Sequence, residues 1–186
     1  GFTYSSHPIP ERLKRHLEAL GFRIATRVLA PSEFIGQVLQ REYDVASEKL
    51  SIVPNGVDTA RFTPKGSMSD NDSTGVNVTT VSRLTEQKGY AHLLDATASL
   101  SDRLSIDVNI FGEGPHRPHL ESQSSELGID EVVTFHGFVS NASLLSAYRK
   151  ADVFAFPTVY ERFGLVVLEA MAVGTPIVAF DAGGVK

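Results

Sequence analysis

Apolar and polar positions alternate between two periods along the whole 186-residue chain. In IPERLKRHLEAL, Leu13, Leu17 and Leu20 fall at helical spacing, and Gly21 is expected to close the helix. TRVLA then reads as a short buried strand, Ser32 as the cap of a helix EFIGQVLQREY, and LSIVP as a second strand ended by Pro54. The stretch from Thr63 to Gly75 holds Pro, Gly, Ser, Asp and Asn without an apolar period, which predicts a linker or a long exposed loop. The expected organisation is one domain over residues 1–62, a linker over 63–75, and a second domain over 76–186.

Beyond the linker the pattern becomes regular. VNVTTVS, SIDVNIF, EVVTF, ADVFAFP and PIVAF read as strands, and the four segments between them read as helices. Strands as uniformly apolar as these are expected to be buried on both faces, in a parallel sheet covered by helices on each side. That is the doubly wound α/β class, in which ligands bind beyond the carboxyl ends of the strands. The chemistry is therefore sought just after Ser82, Phe111, Phe135, Phe156 and Phe180.

Composition narrows what that chemistry is. With 42% apolar and 21% charged residues the chain is an ordinary globular composition, and its formal charge of -5 argues against a general nucleic-acid binder. The absence of cysteine excludes a disulfide framework, a thiol nucleophile and a Cys-ligated zinc. No apolar run approaches the roughly 20 residues of a membrane span, and GFTYSSHPIPERLKRHL lacks the apolar stretch of a secretory signal, so a cytoplasmic location is the expectation. The Asn-x-Ser/Thr matches at Asn71, Asn77 and Asn141 are too common by chance to change this.

Four strand ends carry candidate residues. After the first comes RLTEQKG, whose Arg83 and Lys88 are placed to neutralise a diphosphate, one as a planar fork and one as a point charge; a solvated loop is the competing account. After the second comes GEGP, in which Gly112 and Gly114 permit a tight turn lining a ligand. It is not a dinucleotide fingerprint, because Arg117 stands at the third glycine position and no acidic residue closes EVVTF. His116 and His119 beside it suit a solvated helix start better than a metal, for want of a third ligand. After the third comes HGFV, where His136, Gly137 and Phe138 offer a place for a base, although core packing is the expected role of the Phe138 ring.

The fourth strand end, ERFGLVVLEAMAV, is the most informative. Phe163 and Gly164 open a helix whose first-turn amides are unpaired and whose dipole end is positive, which suits a phosphate. Glu161 precedes that helix and Glu169 lies inside it, about 10 Å apart along the axis at 1.5 Å per residue. This is roughly the span of a diphosphate, with one carboxylate at the sugar end and the other at the ribose end. A dipole-satisfying Glu161 and an exposed Glu169 are the alternative, but Glu169 stands among apolar residues, where an unpaired carboxylate is costly.

In sequence order, VSRLTEQKGY, the GEGP segment, HGFV and the ERFGLVVLEA segment make the chain resemble the retaining glycosyltransferases of family 4 (GT4), with the GT-B fold of two Rossmann-like domains. APSEFIGQVLQREYDVASEKLSIVPNGVDTARFTP resembles the end of that family's N-terminal domain and its hinge. The resemblance implies a donor-binding domain over 76–186. It implies a nucleotide-diphosphate sugar (UDP-, GDP- or ADP-sugar) as substrate, no cofactor and no metal, and transfer with retention of anomeric configuration to a sugar, lipid or other small-molecule acceptor. By position it makes Arg83 and Lys88 the leaving-group stabilisers, Glu161 the sugar contact, Glu169 the ribose contact, and Phe163, Gly164, Leu165 and Val166 the diphosphate cradle. Arg162 departs from the small residue commoner there. The rival readings are a non-catalytic nucleotide-binding module and another GT-B enzyme such as an epimerase or phosphorylase. The basic amphipathic segment ERLKRHLEALGFRIATR is compatible with peripheral association at the inner face of a membrane, as in some similar enzymes, and with a solvated helix face.

Overall fold

The computed structural model describes residues 10–64 and 75–185. Most of the expected 63–75 linker, and Asn71 with it, lies outside the described residues. The chain forms two compact units, Gly1–Pro54 and Asn55–Lys186.

The first unit begins with α1 (Glu11–Ile24), then β1 (Val28–Ala30), α2 (Glu33–Tyr43) and β2 (Leu50–Ile52). The two strands pair in parallel, Val28 with Leu50 and Ala30 with Ile52, so α2 is the crossover of a β-α-β unit. Ser32 caps α2 as expected, its hydroxyl accepting from the Ile35 amide at 3.2 Å. Gly21 does not close α1, which runs on to Ile24. An interior glycine costs only about 1 kcal/mol, and tertiary contacts hold the extra turn: Phe22 meets Tyr43 edge-on at 5.0 Å, and Lys49 Nζ donates to the Arg23 carbonyl at 3.0 Å. Leu13, Leu17 and Leu20 remain about half exposed. Val28, Ala30, Leu39 and Val45 make this unit's core. Among the described residues no helix is long and apolar enough to cross a membrane.

The second unit contains the five strands and four helices that the periodicity predicts: β3 (Val76–Val81), α3 (Tyr90–Ser101), β4 (Ile106–Phe111), α4 (Arg117–Glu126), β5 (Val133–Gly137), α5 (Asn141–Lys150), β6 (Val153–Phe156), α6 (Leu165–Ala172) and β7 (Ile177–Ala179). All neighbours are parallel, in the order β5-β4-β3-β6-β7. The chain thus winds outward from β3 in one direction and then restarts at β6 on its other side. The crevice at the carboxyl ends of β3 and β6 is the topological switch point, where such sheets take their ligands.

Two apolar clusters clamp the sheet. One joins Leu84, Leu94, Ile110 and Leu120, all fully buried, with neighbours on β3, β4 and β5. The other gathers Tyr148, Phe154, Phe156, Val167 and Ala170 around Phe62, which is 6% exposed and so fixes the chain just ahead of the linker onto this unit. Burial on both faces holds for β6 and the centre of β3 but not for β7, where Val178 is 63% exposed, nor for β4 and β5. There Ile106, Val108 and Ile110 are buried while Asp107, Thr134 and His136 face solvent. The correction is physical: these two strands carry a polar residue at every second position, and a period of 2 sends all of those to one face.

Candidate functional site

The loop after β3 and the loop after β6 meet at the switch point. The Val159 amide donates to the Gln87 carbonyl at 3.1 Å. Gly89, at φ +66°, lies so close to the second loop that a Cβ there would sit 1.9 Å from the Pro157 carbonyl oxygen. This contact brings Lys88 and Glu161 together although they are 73 residues apart: Lys88 Nζ donates to Glu161 Oε2 at 2.6 Å, with side chains only 15% and 17% exposed. The ammonium also lies 5.8 Å from the centroid of the Phe156 ring.

Glu161 is held from its other oxygen as well. The amides of Arg162 and Phe163 donate to Oε1 at 2.8 and 3.4 Å. Burial pushes the carboxyl's pKa up, but the Lys88 hydrogen bond and charge and the two amides outweigh it and hold it below the usual carboxylate range. The sequence reading assigns Glu161 to sugar hydroxyls; in the structure its carboxylate holds Lys88 and shapes the turn into α6. Its carbonyl accepts from the Gly184 amide at 2.8 Å, which ties that turn to the segment after β7.

Gly164 is the N-cap of α6, with φ +91° and no side-chain cap, and its carbonyl accepts from the amides of Val167 and Leu168. The amides of Leu165 and Val166 head the helix, where the backbone offers them no partner and the dipole end is positive. Arg83 is exposed on the neighbouring loop, and among the described residues no carboxylate pairs with it. Lys88, Arg83 and the head of α6 thus belong to adjoining loops, an arrangement able to bind an anion of high charge density.

Gly112 and Gly114 serve this assembly in a way the sequence did not suggest. At φ +125°, a Cβ on Gly112 would lie 1.9 Å from the Ser82 carbonyl oxygen, and one on Gly114 would lie 2.2 Å from that of Leu84. The room they leave is filled by the β3 loop itself, so they seat the segment carrying Arg83. Arg117, the residue at the would-be third glycine, pairs with Glu113, donates to Glu121 at 2.7 Å and reaches the Phe135 carbonyl at 3.3 Å. His116 and His119 stack on one another with ring centroids 4.8 Å apart.

The HGFV residues separate. His136 stacks on Phe111 at 4.3 Å, and its Nε2 lies 2.6 Å from Asn109 Oδ1, on the polar sheet face where both line a cavity of about 230 Å³ with Asn77 and Lys150. Burial against that face lowers its pKa from the ordinary histidine value. Gly137 accepts from the Gly112 amide through its carbonyl, at 2.8 Å. Phe138 is 90% exposed, which corrects the expectation of core packing. It stands two residues after His136, so the period of 2 that sends Thr134 and His136 outward sends it the same way.

Glu169 is half-buried on α6, and its partner is Tyr148 on α5, whose hydroxyl donates to Oε2 at 2.7 Å. Sequence reasoning passed over Tyr148. The available signal was a tyrosine beside Leu144 and Leu145 in NASLLSAYRK, because a buried phenol needs a polar partner for its hydroxyl.

A parallel doubly wound sheet, with a lysine-carboxylate pair and a helix N-terminus converging at its switch point, defines an α/β protein of Rossmann-like type. The sequence matches the family Glycosyl transferases group 1 over residues 69–186 and Glycosyltransferase Family 4 over residues 1–61. The chain belongs to the group 1 glycosyltransferases, and its fold is GT-B. An uncharacterised glycosyltransferase of Methanocaldococcus jannaschii is 33% identical over 177 residues, covering 90% of this chain and 45% of the relative. The D-inositol 3-phosphate glycosyltransferase of an Arthrobacter species is 34% identical over 172 residues, covering 87% of this chain and 41% of its own length. Among solved structures, HepE of Anabaena in complex with UDP and glucose superposes with a TM-score of 0.79 at 26% identity, over 94% of this chain and 50% of that one. The chain thus spans less than half the length of these curated relatives.

Proposed function

We propose that the protein transfers a sugar from a nucleotide-diphosphate sugar to a sugar, lipid or other small-molecule acceptor, with retention of anomeric configuration. The observation that carries this reading is the Lys88–Glu161 pair at 2.6 Å beside the head of α6, at the switch point of the sheet. In the reaction the bond from the anomeric carbon to the phosphate oxygen breaks, and the bonding electrons leave with the nucleoside diphosphate. Lys88, Arg83 and the amides of Leu165 and Val166 stabilise the charge that builds there, a fixed electrostatic environment aimed at the leaving group. The acceptor hydroxyl attacks from the face the diphosphate departs, and its proton passes to the departing phosphate oxygen. Glu169 accepts from the ribose hydroxyls. The complex of HepE with UDP favours a uridine nucleotide as the first donor to try, ahead of GDP- and ADP-sugars.

We also propose a cytoplasmic site of action, which the absence of cysteine suits. The half-exposed Leu13, Leu17 and Leu20 beside Arg12, Lys14 and Arg15 support contact with an anionic membrane surface. The test of the donor assignment is calorimetry on the full-length enzyme with UDP and UDP-glucose. Glu169→Ala is expected to weaken both ligands, and Glu161→Ala to weaken UDP-glucose more than UDP. Equal losses for both ligands in both variants would overturn the assignment.

A further inference from the structure

Glu169 sits in the second turn of α6 beside Val166, Val167 and Ala170, the last two at 8% and 0% exposure. A carboxylate in such surroundings needs a fixed partner, and it can swing about its last torsion unless something stops it. Tyr148 has what is needed to stop it. Its side chain is fully buried, its ring lies 5.5 Å from that of Phe154 and 6.3 Å from that of Phe62, and its carbonyl accepts from the Thr175 hydroxyl at 2.7 Å. The next residue, Arg149, grips the carbonyl and hydroxyl of Thr63 at 2.9 and 2.8 Å, so α5 is held at this point from both sides. The phenol occupies one lone pair of Oε2. Oε1 has no protein donor among the described residues, which leaves it for a ligand.

We infer that Tyr148 is a positioning residue for the nucleoside end of the donor site, holding the Glu169 carboxylate in the orientation that receives the ribose hydroxyls. This rests on the reading of Glu169 as the ribose contact. Burial, and then the hydrogen bond to Glu169, raise the phenol's pKa far above its ordinary value. The phenol therefore keeps its proton and donates it to the carboxylate. Tyr148 is not conspicuous alone, since it lies in a different helix 21 residues before the carboxylate it holds.

The test compares UDP with 2′,3′-dideoxyuridine diphosphate as calorimetric probes of the full-length enzyme. In wild type the ribose form binds more tightly. Tyr148→Phe keeps the ring and removes one oxygen, and is expected to weaken UDP about three- to tenfold, the range of one ordinary hydrogen bond, while leaving the dideoxy probe unchanged. In a Glu169→Ala background the same substitution should change neither probe. A loss of equal size on both probes, or no loss on UDP, overturns the role of Tyr148. So does a Tyr148→Phe variant that fails to fold, which would make the hydroxyl a requirement of the fold rather than of the site. A Glu169→Ala variant that still prefers the ribose form overturns the underlying reading of Glu169 instead, and the two failures are thereby told apart.

Discussion

Replacing Lys88 by Met keeps most of the side chain's length and apolar stem but leaves Glu161 in its pocket without the ammonium. An exposed ion pair is worth only about 0.2–1 kcal/mol, whereas breaking a fully buried one costs about 3–5 kcal/mol. At 15% and 17% exposure and 2.6 Å the pair stands between these limits, and the amides of Arg162 and Phe163 still serve Oε1 after the substitution. The expected cost is therefore that of one charge-assisted hydrogen bond, about 1.5–3 kcal/mol. Glu161→Gln should cost less, and the double variant should be less unstable than the sum of the singles by about 1.5 kcal/mol or more. Because Glu161 is held below the usual carboxylate range, its stabilisation is complete above that range and is lost as pH falls through the folded value. In Lys88→Met burial acts on the carboxyl with less opposition, so its pKa rises. Wild type and variant should differ most near neutrality, and the gap should narrow in acid, closing only as pH falls through the lowered value of Glu161, below the usual carboxylate range. Urea denaturation of the four proteins at pH 7 and pH 4 measures this. A coupling under about 0.5 kcal/mol at pH 7, or a gap that widens in acid, would refute the argument.

Two further outcomes follow from the same loops. If Arg83 and Lys88 carry the leaving-group charge, transfer by the full-length enzyme should survive excess chelator, while Arg83→Ala should lower kcat roughly tenfold to a hundredfold; a chelator-silenced enzyme restored by magnesium would show the assignment wrong. Gly112→Ala places a Cβ 1.9 Å from the Ser82 carbonyl oxygen at φ +125°, so it should destabilise the second unit by at least about 1–3 kcal/mol, read as a lowered Tm; an unchanged Tm would mean that the two loops move apart freely.

The alternation of apolar periods determined the order of elements in the second unit, because burial of one helix face or one strand is a local property of spacing. It also pointed to the carboxyl ends of the strands as the place to seek the chemistry, since parallel strands joined by helices leave their strand-to-helix loops at that edge. Ser32 was legible because a cap acts within three residues. Gly21 was misleading because its preference for ending a helix is worth about 1 kcal/mol, less than the contacts of Phe22 and Arg23 with residues 21 and 26 positions further on. The same limit governs the site. Glu161, Glu169, Lys88 and Arg83 stood out as charges in telling places, but their partners did not: Lys88 meets Glu161 across 73 residues, and Glu169 meets a tyrosine on another helix. Strand order decides those pairings, by laying β6 against β3 and packing α5 beside α6, and strand order depends on the free energy of the whole packed sheet rather than on any window of sequence. The glycines show the same division. Their need for unusual backbone was written in the GEGP turn, while what fills the space beside them, the backbone of the β3 loop, was settled only when the strands came together.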